Sequence, residues 1–136
     1  MGTSRLSETL SAVATSAIAS SKQYTAVKGS KTAMVICDTA GENALGILQD
    51  ESVAAGSSGL VAIGGRSLAK CEGTFSAGQK LCVSATSNKV GWLKAVSANT
   101  QHHIATALEA CGADGDLVEV QIIKGGLNQY GAATPA

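Results

Sequence analysis

Aromatic side chains are almost missing from this chain. Tyr24, Phe75, Trp92 and Tyr130 are the whole set, 3% of 136 residues. Charge is thin as well: Asp, Glu, Lys and Arg make 15%, against about 25% in ordinary soluble domains. Ten acidic and ten basic side chains cancel to a formal net charge of zero, and no run of Lys or Arg occurs. Non-specific nucleic-acid binding needs a basic field that releases counterions, so DNA and RNA are not expected partners. No stretch reaches the ~18 consecutive apolar residues of a membrane-spanning helix, and no membrane partner is expected. No cysteine pair has CxxC spacing, which leaves a zinc site without support. Export is not expected either. Arg5 and the Ala17-Ile18-Ala19 stretch resemble parts of a leader, but Glu8 and scattered Ser and Thr break the apolar block that a leader needs. The expected place of synthesis is a reducing cytoplasm.

Large apolar side chains are also scarce. Leu, Ile, Val and Phe make 29 of 136 residues, and much of the remaining apolar fraction is alanine. Stabilisation by burial scales with apolar area, at about 25 cal/mol per Å2, so an alanine-rich core implies modest stability for a monomer. A weakly charged surface further implies that part of it is covered in the working state, by oligomerisation or docking.

What is present begins with Asn43 to Gly65, around which the chain is organised. Leu45, Ile47 and Leu48 form a short β-leaning run. Gln49 to Ser52 break it, and Ala55-Gly56-Ser57-Ser58-Gly59 supplies turn chemistry. Leu60, Val61 and Ile63 start a second strand, which Gly64-Gly65 is expected to end. A looser copy runs from His103 to Gly126. It has an apolar run from Ile104 to Leu108, then Glu109, a turn over Gly112, Asp114, Gly115 and Asp116, and an alternating strand through Leu117, Val118, Val120 and Ile122.

Elsewhere the chain reads as strands and turns. Ser, Thr and Ala make 13 of the first 22 residues. Leu6, Leu10, Val13, Ala14, Ala17 and Ile18 fall near helical spacing, but too few large side chains are present to pin a helix. The expectation for 1–22 is a mobile arm that orders on a partner surface. Tyr24 to Lys28 fits an edge strand, Gly29-Ser30 a turn, and Thr32 to Cys37 an apolar strand. Arg66 to Glu72 alternates, and Phe75 anchors the turn after it. Lys80 to Ala85 and Val90 to Val96 flank a hairpin at Thr86 to Lys89. The run His102 to Cys111 fits helix and strand equally. Up to about eight short strands, with no βαβ alternation, predict an all-β barrel or sandwich. The expected division is an arm over 1–22, a β-barrel body over 23–124 and a flexible tail over 125–136.

No active site emerges. Gly29-Ser30-Lys31-Thr32 lacks the GxxxxGK[ST] pattern of a phosphate loop, and Gly64-Gly65-Arg66-Ser67 has no helix behind it to receive an anion. His102 and His103, being adjacent, point to opposite faces of a strand and would not share a metal. Asp114 and Asp116 lack the further oxygen ligands of a calcium loop, and no GxSxG elbow is present. Cys37 and Cys82 sit in apolar runs, which reads as small buried thiols, and no pairing of Cys37, Cys71, Cys82 and Cys111 is assigned. The expectation is a non-enzyme with no catalytic residue, cofactor or metal.

Taken in order, several motifs form a pattern. They are Ala44-Leu45-Gly46-Ile47-Leu48-Gln49-Asp50, Ala55-Gly56 with Val61-Ala62, Gly73 and Ala77-Gly78-Gln79-Lys80-Leu81. The hairpin Ser84 to Val90, Ile104 to Ala110 and Gly115 to Val120 complete it. Over roughly Tyr24 to Ile123 this layout resembles the small phage capsid cement, or head decoration, proteins. It departs from them at Ala105, where the family commonly has Gly, and in the length and Ser/Thr content of the first 22 residues. The resemblance implies a small β-barrel or β-tulip on the outer surface of an icosahedral tailed-phage head. It implies a homotrimer that binds the major capsid protein and clamps neighbouring capsomers, and a terminal arm that touches the shell. In this chain the candidate contact residues of the arm are Leu6, Leu10, Val13, Ile18 and Tyr24. The expected location is the virion, after synthesis in the bacterial host cytoplasm. The alternative is a small-molecule-binding β-barrel or an enzyme accessory subunit that uses His102, His103 or a cysteine.

Overall fold

The computed structural model describes residues 7–98 and 100–123. Among these residues nine strands form one curled antiparallel sheet, and the fold is all-β. They are β1 (Ser7–Val13), β2 (Ala26–Ser30), β3 (Ala33–Ile36), β4 (Gly46–Leu48) and β5 (Ser58–Lys70), then β6 (Lys80–Val83), β7 (Leu93–Ala95), β8 (Ala105–Ala107) and β9 (Leu117–Ile122). The only helical piece among the described residues is a single 3-10 turn, Ser20–Lys22.

The long strand β5 is the axis of the molecule. Its first part pairs with β1 and β4, and its last part pairs with β9. Around this axis the chain makes the same unit twice. Unit 1 is β1, β2, β3, β4 and the start of β5, hydrogen-bonded in the order β1-β5-β4-β2-β3. Unit 2 is the end of β5, then β6, β7, β8 and β9, in the order β5-β9-β8-β6-β7. Each therefore runs first, fifth, fourth, second, third. Each curls until its third strand returns to its first, through a parallel bridge at Ala14 and Met34 in unit 1 and at Cys71 and Leu93 in unit 2.

The registers match residue for residue. Ser11 opposes Leu60 where Leu68 opposes Glu119, and Val13 opposes Ser58 where Lys70 opposes Leu117. The bridge between Ile18 and Val53 reappears between Phe75 and Cys111. Local chemistry repeats too. Asp50 accepts the Leu60 N–H at 2.9 Å, and Glu109 accepts the Glu119 N–H at 2.9 Å. Glu42 accepts the amides of Asp38 and Thr39, and Gln101 accepts those of Ser97 and Ala98. The weak repeat seen in the sequence, Asn43–Gly65 against His103–Gly126, covers the fourth and fifth strands of each unit.

On three points the structure departs from the sequence expectations or decides what they left open. First, Gly64-Gly65 does not end a strand. The backbone runs on to Lys70, and the pair instead lies where β5 changes partners, opposite a register shift between Glu8 and Thr9 of β1. Second, the ambiguous run from His102 to Cys111 contains the strand β8. Third, the segment expected to be a mobile arm forms, over Ser7–Val13, a strand of the sheet, with isolated bridges at Ala14 and Ile18. β1 pairs with β5 over its whole length, and Ala12, Ala14 and Ile18 are buried. The physical reason is that two of these anchors are alanines. They bury little area, but they let β1 lie close against the unit 1 core, while the backbone ladder supplies directional hydrogen bonds.

The core has two parts. One fills unit 1: Ala12, Ala14, Ile18, Val27, Met34, Leu48, Val53 and Val61. The other fills unit 2 and extends to the back of unit 1. Ala26, Ile47 and Ala62 belong to it, although their neighbours Val27, Leu48 and Val61 face the first core, as strand alternation requires. Unit 2 thus covers the outer face of unit 1. Gly91 closes this junction. Its carbonyl accepts the Ala26 N–H at 2.8 Å. Its φ is +87°, and a Cβ there would stand 2.9 Å from Ile36 Cγ2, so both conformation and space require glycine. In unit 2 the positions matching Ala26, Ile47 and Ala62 are Lys80, Thr106 and Gln121, aligned with one another across β6, β8 and β9. They are polar, so the stacking of units stops at two.

Candidate functional site

The five arm residues expected to touch a partner are distributed as follows. Leu6 lies outside the described residues. Leu10 pairs with Val61 across β1 and β5 and packs half-buried against the unit 1 core. Val13 is half-buried opposite Ser58. Ile18 is buried within the unit 1 core. Tyr24 packs against the second core with a positive φ of 66°. As placed, Leu10, Ile18 and Tyr24 hold β1 and the chain after it onto the body. The structure does not gather them into one exposed patch.

The residues considered for chemistry do not converge. His102 Nδ1 lies 3.1 Å from the Gly41 carbonyl, whereas His103 Nε2 lies 2.9 Å from the Thr106 hydroxyl. Burial, with the nearby Lys80 ammonium, pushes the His103 pKa below its ordinary value. The Asp114 carboxylate takes the Gly73 N–H at 2.6 Å and the Lys89 ammonium at 2.6 Å, and the Asp116 carboxylate takes the Gly112 N–H at 3.3 Å. The acidic turn is therefore occupied by the protein's own donors. The Lys89 ammonium, helped by the Gly73 amide, holds Asp114 below the usual carboxylate range. Lys28 sits between Asp38 at 2.7 Å and Glu42 at 3.1 Å, which holds Asp38 low and Lys28 high. Burial pushes the Cys71 thiol up to about 12 and the Cys82 thiol up to about 11, so neither is an active nucleophile at neutral pH. Among the described residues no three His, Cys, Asp or Glu side chains are grouped to hold a metal.

The surface does carry one feature that the sequence reading missed. On the outer face of unit 2, Leu68 of β5, Leu117 of β9 and Leu108 just past β8 remain 39%, 47% and 39% exposed. Leu68 opposes Glu119, and Leu117 opposes Lys70. The two leucines are therefore diagonal neighbours on one face, at roughly 7–8 Å. The Leu108 amide donates to the Glu119 carbonyl at 2.9 Å, which brings the third leucine to the other side of Glu119. The Glu119 carboxylate is 3.4 Å from Arg66. The Lys70 ammonium leans away, bonded to the Ser21 carbonyl at 2.9 Å and lying 5.7 Å from the Trp92 ring centre. The result is a leucine triangle around one ion pair. The alternation of 66–70 and of 117–121 held a signal for it, because their leucines fall on the phase of Arg66, Lys70, Glu119 and Gln121.

No family model and no curated protein matches the chain. Among solved structures it is similar to the crystal structure of the head fiber gp8.5 N base in bacteriophage phi29. The match covers 89% of this chain and 98% of that one, with a TM-score of 0.63 and 15% sequence identity. At that identity the likeness shows a shared fold, and the shared part is nearly the whole of both chains.

Proposed function

We propose that this chain is a structural protein of a tailed-phage head. In this reading it is a cement or decoration protein, bound as a homotrimer to the major capsid protein on the outer shell and bracing neighbouring capsomers without catalysing a reaction. The observation that carries the reading is the near end-to-end likeness to the base of a phage head fiber. It agrees with the sequence resemblance to head decoration proteins, which rests on other grounds. The scarcity of charge and the engagement of His102, His103, Asp114 and Asp116 with groups of the protein itself fit a binding module. Because β1 is built into unit 1, the part that meets the shell is the folded body with its first strand in place.

The test is reconstitution. The protein is mixed with tailed-phage heads assembled from a major capsid protein of the same genome, the particles are purified by sedimentation, and bound density is located by cryo-electron microscopy. Saturable binding at symmetry-related positions on the outer surface, with capsids made more resistant to heat, supports the proposal. Failure to bind expanded or unexpanded heads overturns it.

A further inference from the structure

We propose that the leucine triangle of unit 2, Leu68, Leu108 and Leu117 around the Arg66–Glu119 pair, is the surface through which one copy of this chain binds another. The inference rests on the homotrimer reading above and names the contact that would build it. Three observations carry it.

The first is an internal control. Unit 1 presents the same backbone positions in the same register, and there the matching residues are Ser11, Gln49 and Ser58. The fold is thus satisfied by polar side chains at all three places, and the leucines of unit 2 serve no need of the strand ladder. Two exchanges run the other way: Leu60, itself 39% exposed, stands where unit 2 has Glu119, and the half-buried Val13 stands where it has Lys70. Three leucines replacing three polar twins on one face make an apolar surface that water does not favour.

The second observation identifies the occupant. The chain already shows what covers an apolar outer face of this unit: a second unit of the same fold. Unit 2 covers Ala26, Ile47 and Ala62 of unit 1. A further copy of the chain brings further units of that shape and chemistry. The third observation is charge. The triangle carries both signs side by side, Arg66 and Glu119 at 3.4 Å, and both are at least partly exposed. A face bearing one cation and one anion is complementary to a second copy of itself, whereas a strongly charged partner would be repelled by one of them.

Sedimentation equilibrium on the full chain tests this, from low to high micromolar concentration. The wild type is compared with the triple variant L68S/L108Q/L117S, which borrows each residue from the unit 1 twin and so keeps the strand environment. Circular dichroism and the urea midpoint check folding. The wild type is expected to associate. The triple variant is expected to be weakened by roughly tenfold or more, since a few central side chains carry most of an interface's affinity and the three leucines are removed together. The milder L117S changes the most exposed of the three and should weaken association by itself, which keeps the test open if the triple variant does not fold. A monomeric wild type at high micromolar concentration overturns the homo-oligomer reading itself. An associating wild type with equally associating, folded variants overturns only the assignment of this face. A variant that keeps its oligomeric state but no longer binds heads gives the face to the shell, and that too overturns the inference.

Discussion

The repeated unit makes a quantitative demand on the core of unit 1. Gly59 of β5 corresponds to Val118 of β9, and Leu48 of β4 corresponds to Ala107 of β8. A Cβ at Gly59 would stand 2.8 Å from Val53 Cγ2, 3.2 Å from Met34 Cε and 3.3 Å from Leu48 Cδ1. Gly59 therefore leaves room that Val53, Met34 and Leu48 fill, while the corresponding residues of unit 2 are Val118 with the smaller Cys111, Leu93 and Ala107. Gly59→Val adds three carbons and Leu48→Ala removes three. Alone, Gly59→Val overpacks the site and should destabilise by about 1–3 kcal/mol. Alone, Leu48→Ala gives up roughly 2.4 kcal/mol of transfer free energy at ~0.8 kcal/mol per carbon, and its cavity raises the loss to about 2–5 kcal/mol. Together they conserve volume and place the unit 2 residues at these two positions, and with the Val53 methyl shifting to clear the new Cβ the double variant should lie within about 1.5 kcal/mol of wild type. Equilibrium urea unfolding of all four proteins, at one protein concentration and with m-values compared, closes the cycle. A coupling of about 2 kcal/mol or more in the compensating direction is expected. If the two losses simply add, to within about 0.5 kcal/mol, the two cores are not alternative fillings of one space and the argument fails.

Asp50 and Glu109 each accept one backbone amide at the same point of their units. Replacing either with Ala should lower stability by about 1 kcal/mol, a charged hydrogen bond discounted for its exposure, and urea midpoints of D50A and E109A that equal wild type would refute the shared role. Cys71 and Cys82, buried and with thiols pushed up to about 12 and 11, should resist a thiol-titrating reagent in the folded protein and react at once in denaturant. Prompt reaction of either under native conditions contradicts the burial. Acid should weaken the fold in two stages. His103 has a lowered folded pKa, so the unfolded chain takes up the proton first. Its contribution is complete above the ordinary value of 6.5 and is lost as pH falls through the lower folded one. Asp38 and Asp114, lowered by Lys28 and Lys89, add a second loss below the ordinary carboxylate range. Thermal melting between pH 8 and about 3 reads both, and H103N should remove the first stage alone.

Much of the fold was legible because turn residues and period-2 alternation mark strands well. The pattern of Leu117, Val118, Val120 and Ile122 gave β9, and Lys80 to Ala85 gave β6. What escaped was long-range. Gly64-Gly65 looks like a strand end because two glycines in a row usually break a ladder, and only the exchange of partners from β1 to β9 explains why the strand continues. β1 escaped because Leu10, Val13 and Ala14 fall near helical spacing rather than alternating, and few of its side chains are large. Its place depends on β5, nearly fifty residues later. The repeat was half visible, since the fourth and fifth strands kept their loop and its acidic residue. The second and third strands did not: Val27 and Met34 share with Leu81 and Leu93 only their position and a buried apolar side chain. The surface leucines were written in the sequence, but nothing there marked them as outward-facing without the register to Glu119.

The two units diverge in a way that separates packing from contact. Inside, changes compensate one another, so that Gly59 with Leu48 answers Val118 with Ala107. On the back, Ala26, Ile47 and Ala62 of unit 1 are apolar because unit 2 covers them, while Lys80, Thr106 and Gln121 of unit 2 are polar. Had these three stayed apolar, each chain would present to the next the face that unit 1 presents to unit 2. The contact would then be head-to-tail and would not close on itself, the geometry that leads to open filaments. The polar trio removes that route. Among the described residues, exposed leucine and isoleucine side chains remain at Leu60, Leu68, Leu108, Leu117 and Ile123, and three of them gather beside an ion pair of both signs. Under the inference drawn above, a chain whose back face is polar and whose leucines lie elsewhere has the leucine face as its route to a finite assembly.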